Sequence, residues 1–137
     1  MNFLLDTNIC IYYLNGKDPD LTQKILEAGP ALLAISSLSV AELRFGAARS
    51  AKPEQNDGRI DRFVAELKTI PFDDFCARHF AHLKARQAAA GKPIPDFDAA
   101  IAATALAKGL VVVSADHHMA AIHGIEIEDW TSADPRL

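Results

Sequence analysis

Carboxylates that follow apolar segments are the chemically suggestive feature of this chain. Asp6 ends the run "MNFLLD", Glu42 lies within "SSLSVAEL", Asp96 and Asp98 open an alanine-rich stretch after "KPIP", and Asp116 ends "LVVVSAD". Carboxylates brought together repel one another unless a cation neutralises them. A donor set of oxygens, with no Cys or His, suits a hard cation, Mg²⁺ or Mn²⁺. Such an ion lowers the pKa of its bound water and polarises a phosphoryl oxygen, the two requirements of phosphodiester hydrolysis. Asp6 and Asp98 are the first choices as direct ligands. Glu42 serves as a ligand or as the proton acceptor, and Asp116 holds a second ion or acts through water. Thr7, Asn8 and Ser114 flank these acids and can orient carboxylates or water.

Each acid also has a local explanation. Asp6 or Asn8 can cap a first helix, Asp116 can cap a last one, and Asp96 reads as the cap of the alanine-rich helix. Ser39 and Glu42 have the S-x-x-E spacing of a capping box, and Asp98 would sit in a first turn that favours negative charge. The histidines offer less. His79 and His82 are three apart, and His117, His118 and His123 cluster late, but neither set has the Cys partners or the H-E-x-x-H spacing of a zinc site. His117 and His118 follow Asp116 closely enough to touch a substrate.

The elements that must position these acids alternate. Residues 2–6, 31–36, 69–72 and 110–114 read as short buried strands, and 125–130 as a fifth. Helical spacing covers 8–15, 18–28, 39–50, 59–68, 73–90 and 96–108, and a short helix follows Asp116. Residues 50–58, "SAKPEQNDG", read as a turn-rich loop. Continuous apolar strands between helices predict a parallel sheet covered on both faces, an α/β fold with a three-layer α/β/α sandwich and a central, mostly parallel sheet. Ligands of such sheets sit beyond the carboxyl ends of the strands, where all four acid-bearing segments fall.

At 137 residues, half of them hydrophobic, the chain is expected to fold as one domain, 1–137, with a proper core. A net charge of −4 argues against bulk attraction to nucleic acid or membrane. Local cationic strips remain, Arg44, Arg49 and Lys52 in one segment and Lys84, Arg86 and Lys92 in another, as candidate phosphate contacts. Cys10 and Cys76 lie far apart, no apolar run reaches membrane-spanning length, and no secretory leader is visible; a reduced, cytoplasmic protein is expected.

"FLLDTNICIYYL", "ISSLSVAEL", "PIPDFDAAIAATAL" and "LVVVSAD", in this order and across essentially the whole chain, resemble the four motif blocks of PIN-domain ribonucleases, and most closely those of VapC-type toxins of bacterial toxin–antitoxin pairs. The resemblance implies a metal-dependent endoribonuclease that uses Mg²⁺ or Mn²⁺ to cleave RNA, tRNA or another structured RNA included. It implies a homodimer held inactive by a cognate VapB-like antitoxin, in a heterotetramer or larger assembly. By motif, the catalytic acids are Asp6, Glu42, Asp98 and Asp116, and Asp96 lies outside the set. Relatives often carry a further Asp and then Phe three and four residues after the position of Asp116. Here those places hold Met119 and Ala120. Water activated by the ion would leave 5′-phosphate and 3′-hydroxyl ends. Residues 18–50 are the expected contact surface for partner and antitoxin.

Two other readings differ in class. A strand ending in Asp also opens aspartyl-phosphate phosphohydrolases, but these want a second Asp two residues on, where Asn8 stands. A PIN-fold module could instead bind RNA or protein without catalysis.

Overall fold

The computed structural model describes residues 2–132; the remainder of the expected 1–137 domain, Met1 and residues 133–137, lies outside the described residues. Five strands, β1 (Phe3–Leu5), β2 (Leu33–Ser36), β3 (Lys68–Ile70), β4 (Val111–Val113) and β5 (Ile127–Glu128), form one sheet in the order β3-β2-β1-β4-β5. Every pairing is parallel. The helices are α1 (Thr7–Asn15), α2 (Pro19–Ala28), α3 (Ser37–Ala48), α4 (Pro53–Glu66), α5 (Asp74–Ala89), α6 (Asp96–Lys108) and α7 (His117–Ala120).

The short strands carry the core because successive side chains point to opposite faces. Leu4, Ala34 and Val112 are in register across three strands and enter one apolar cluster, with Leu83, Ile101 and Ile122. Leu5, Ile35 and Val113, one position on, enter the other, with Ile9, Leu21, Leu43 and Phe63. Helices therefore cover both faces, as continuous apolar strands require. In α6, Ala99 to Ala105 are all buried, and the small side chains let this helix lie close against its neighbours.

From β1 the chain steps to β2 and β3 on one side, then crosses back to β4 and β5 on the other. This reversal makes the carboxyl ends of β1 and β4 the switch point where such sheets open a crevice. The Asp6 amide donates to the Val113 carbonyl there (3.1 Å), tying the two strand ends together.

Several local expectations change, among them a third strand that runs from Lys68 to Ile70 rather than over 69–72. Residues 53–58 are not loop: α4 begins at Pro53, six residues before the helical spacing suggested. Pro53 suits a first helical position. Arg44 of α3 then binds Asp57 (2.8 Å) and Asp61 (2.9 Å), one turn apart on α4, which selects the helix for a segment whose Asn-Asp-Gly reads locally as a turn. β2 is shorter than expected, because Pro30–Leu32 form a 3₁₀ turn before it. β5 is only two residues long, and Trp130 beyond it turns inward against Phe3 at 4.9 Å between ring centroids. Among the described residues no helix is long and apolar enough to cross a membrane.

Candidate active site

Asp6 is the first residue beyond β1 and is 4% exposed. Its Oδ1 accepts the Ile9 amide proton at 2.8 Å, so it caps α1. Capping uses one oxygen, and a carboxylate has a second, so the cap and a ligand role are compatible. Burial raises the Asp6 carboxyl above the usual carboxylate range, hydrogen bonds from Ser114 and Ile9 oppose this, and the charges of Asp98 and Asp116 add to the rise. Ser114, 1% exposed at the end of β4, also accepts the Asp116 amide proton through Oγ at 2.9 Å.

Asp98 occupies the first turn of α6 and is half-buried. A helix N-terminus favours a carboxylate, yet the Asp98 carboxyl is raised, first by desolvation and then by the charges of Asp116 and Glu42, with His118 acting the other way. Asp116 caps α7, its Oδ1 accepting from the His118 amide at 2.8 Å and meeting His118 Nδ1 at 3.2 Å. The acids from β1, α3, α6 and the end of β4 therefore act on one another electrostatically. His118 belongs to this group; its place two residues after Asp116 was the only sign of that in the sequence.

Glu42 is held by a relay. Thr7 Oγ1 lies 2.6 Å from Glu42 Oε1 and 2.9 Å from Ser39 Oγ. An ionised carboxylate only accepts, so Thr7 gives its proton to Glu42 and takes one from Ser39. Ser39 is fully buried. The capping-box reading of Ser39 and Glu42 does not hold: the helix starts two residues earlier, at Ser37, with Ser36 as the cap accepting from the Leu38 amide at 3.1 Å. Asp96 is not the cap of α6 either. Pro95 holds that position without a side-chain hydrogen bond, and Asp96 pairs with Lys84 at 2.8 Å. Asn8 is exposed on α1 and, among the described residues, hydrogen-bonds to none of the four acids. Met119, where relatives often carry an acid, is 1% exposed and belongs to the core.

Among the described residues, no three acid, imidazole or thiol groups stand close enough to form a ready-made metal cage. The donor chemistry still fits a hard cation. Mg²⁺ keeps several waters and needs only one or two carboxylates, and mutual repulsion among the acids is relieved by any cation placed between them. The cationic strips are less available than their sequence implied. Arg44 is engaged by Asp57 and Asp61, and Lys84 by Asp96 and the Ile94 carbonyl.

The profile of the PIN domain matches residues 3–125. The chain belongs to the PIN-domain family. Within it, this PIN domain is similar to the tRNA(fMet)-specific endonuclease VapC of Salmonella typhimurium, 34% identical over 131 residues that cover 95% of the chain and 98% of that protein. It is 35% identical over 133 residues to ribonuclease VapC2 of Rickettsia felis, covering 95% and 98%. A chain in the crystal structure of DNA-bound VapBC from Salmonella typhimurium superposes on this PIN domain with a TM-score of 0.90 at 34% identity, over 95% of this chain and 98% of that one. The parallel five-stranded sheet is thus the PIN fold, and the chain stands among the VapC ribonucleases.

The relay makes one outcome testable. Thr7→Val removes the proton donated to Glu42 while keeping a β-branched side chain in α1. RNA cleavage is expected to fall about 10- to 100-fold, the range for groups that orient a reacting or ligating side chain, with a loss of only about 1 kcal/mol in stability. Cleavage rates and thermal melts of the two proteins check this; an unchanged rate would show that the orientation of Glu42 does not matter.

Proposed function

We propose that Asp6, Glu42, Asp98 and Asp116 form the hydrolytic centre of a metal-dependent endoribonuclease that serves as the toxin of a VapBC-type toxin–antitoxin pair. What supports this reading is the electrostatic coupling of acids from four segments: the Asp6 and Asp98 carboxyls are raised first by burial and then by the charges of Asp98, Asp116 and Glu42, and Thr7, next to Asp6, binds Glu42. Residues 1–137 act as one nuclease domain in the cytoplasm.

A bound Mg²⁺ or Mn²⁺ supplies charge neutralisation at the phosphate and a lowered pKa for its water. Asp6 and Asp98 would hold the cation, with Ser114 steadying Asp6. Glu42, held by Thr7, is oriented to take the proton of the attacking water. Asp116 would hold a second ion or orient a water, and Asn8, exposed on α1, would meet water or substrate. The products are 5′-phosphate and 3′-hydroxyl ends. The Salmonella relative's specificity for tRNA(fMet) favours tRNA or another structured RNA as substrate.

The VapBC complexes among the structural relatives support an antitoxin partner. A cavity of about 360 Å³ has Ile11, Leu14, Leu43, Ala47 and Ile60 as its apolar part and Glu42, Asn15, Asn56 and Arg59 as its polar part. It fits an apolar antitoxin segment that carries a Lys or Arg to the acids in place of the metal. These residues come from α1, α3 and α4, so within the surface expected at 18–50 this reading uses α3. A mainly apolar hollow between Leu38, Phe72, Phe80 and Phe97, with Asp96 in its lining, is the surface we assign to the homodimer, which with antitoxin makes a heterotetramer or larger assembly.

Purified protein is expected to cleave RNA internally with Mg²⁺ or Mn²⁺ and to stop in EDTA. Cleavage that continues in EDTA, by protein free of other nucleases, overturns the metal-dependent reading. RNA binding without cleavage in either metal would make the chain a binding module, and trapping by beryllofluoride would point to an aspartyl phosphate.

A further inference from the structure

Away from the acid cluster, α5 carries His79, His82, Leu83 and Arg86 at positions i, i+3, i+4 and i+7, one face of the helix. That face opens on a cavity of about 420 Å³, completed by Leu106 of α6 and by Ile122 and His123 from the segment after α7. Leu83 and Ile122 are 5% and 3% exposed and form its floor, while His82, Arg86 and His123 are exposed at its rim and His79 is half-buried. The eighth lining residue, Gln87, has its amide nitrogen engaged by the Lys92 carbonyl at 3.2 Å.

The lining is chemically one-sided. In a chain with 18 acids and 14 Lys and Arg residues, none of the eight lining residues is an acid. A guanidinium presents five N–H donors in a planar fork that matches phosphate, and an imidazole offers at least one N–H even when neutral. The three histidines do not make a metal site, since no such group is close enough among the described residues. None of the lining residues takes part in the acid cluster, and among the described residues Arg86 forms no ion pair, unlike Arg44 and Lys84.

We propose that this cavity is a phosphate-binding site that takes a nucleotide unit, the phosphate held by Arg86 and the rim histidines and the sugar or base resting on Leu83, Leu106 and Ile122. The apolar floor distinguishes this from a bare anion patch: a nucleotide offers both a charged group and a flat, weakly polar one. The nucleotide comes either from an RNA strand away from its scissile bond or from a free mononucleotide, and the chemistry of recognition is the same.

The test is imidazole NMR on the intact, metal-free protein, with His79, His82 and His123 assigned through single His→Gln variants. Adenosine 5′-monophosphate and inorganic phosphate are the probes, with adenosine and chloride as controls. Saturable shifts of these three histidines with the mononucleotide, weaker ones with phosphate, and none with chloride are expected. Arg86→Gln should weaken mononucleotide binding about tenfold or more without changing the melting temperature. An RNA oligonucleotide in EDTA then identifies the source: shifts at the same histidines assign the strand, and shifts only with the mononucleotide assign the free ligand. Histidines that do not respond to the mononucleotide, or an equal response in Arg86→Gln, overturn the site. RNA cleavage measured in parallel keeps this result separate from that of the acid cluster, which shares no residue with the cavity.

Discussion

Asp98→Asn is expected to lose RNA cleavage by roughly 100-fold or more, at least the loss seen when groups that merely orient a ligand are removed, with an unchanged circular dichroism spectrum. The substitution keeps the size of the side chain but removes one charge from the cluster and turns one acceptor oxygen into a donor. In the first turn of α6 an isolated carboxylate contributes ~0.3–1 kcal/mol through the helix dipole, so a purely structural Asp98 would leave the variant slightly less stable. The Asp98 carboxyl is instead raised by desolvation and by Asp116 and Glu42, so ionising it disfavours the folded state. A group whose folded pKa lies above its unfolded value binds more protons when folded, and stability then falls as pH rises from the unfolded value near 3.8 through the raised one. In EDTA the variant should therefore match or exceed the wild type at neutral pH, and this advantage should fade as pH falls towards the unfolded value. Metal at about 100 times its dissociation constant should stabilise the wild type by about 2.7 kcal/mol and the variant much less. Equal metal-induced shifts in the two melts would remove Asp98 from the ligand set.

Leu5→Ala is expected to act in the opposite sense, costing about 2–5 kcal/mol of stability in denaturant unfolding. Leu5 is fully buried on the central strand, paired with Ile35 on one side and Val113 on the other, within the cluster that includes Ile9, Leu21 and Phe63. Its removal leaves a cavity that parallel neighbours on both sides cannot close without shifting the sheet. Against a typical total of about 5–15 kcal/mol this is a large fraction. A loss under about 1 kcal/mol would mean that β1 is not buried on both faces. The two variants together separate scaffold from site: the first keeps the fold and loses chemistry, the second weakens the fold without removing any acid.

The difference between what was and was not readable in the sequence follows the range of the interactions. The short apolar runs ending in Asp6, Ser36 and Ser114 carry their own evidence of being buried strands, and the alternation of strands and helices implies a parallel sheet whose carboxyl ends bear the acids. Those inferences depend on residue type and near neighbours, and the α/β class was legible for that reason. The start of α4 was not, because Arg44, from another helix, supplies the guanidinium that binds Asp57 and Asp61 and so favours helix there. Nor was the role of Ser39, which looks like a cap until Thr7, 32 residues away, stands beside it. Asp96 resembled a cap for the same local reason and turned out to serve Lys84. The grouping of His79, His82 and Arg86 with His123 required α5 to be laid against the segment after α7. By itself the sequence determined the order and type of the elements and the kinds of side chain near their ends, since burial pattern is local; tertiary structure alone decided which side chains meet, since these pairs are joined through the packing of separate elements a dozen or more residues apart.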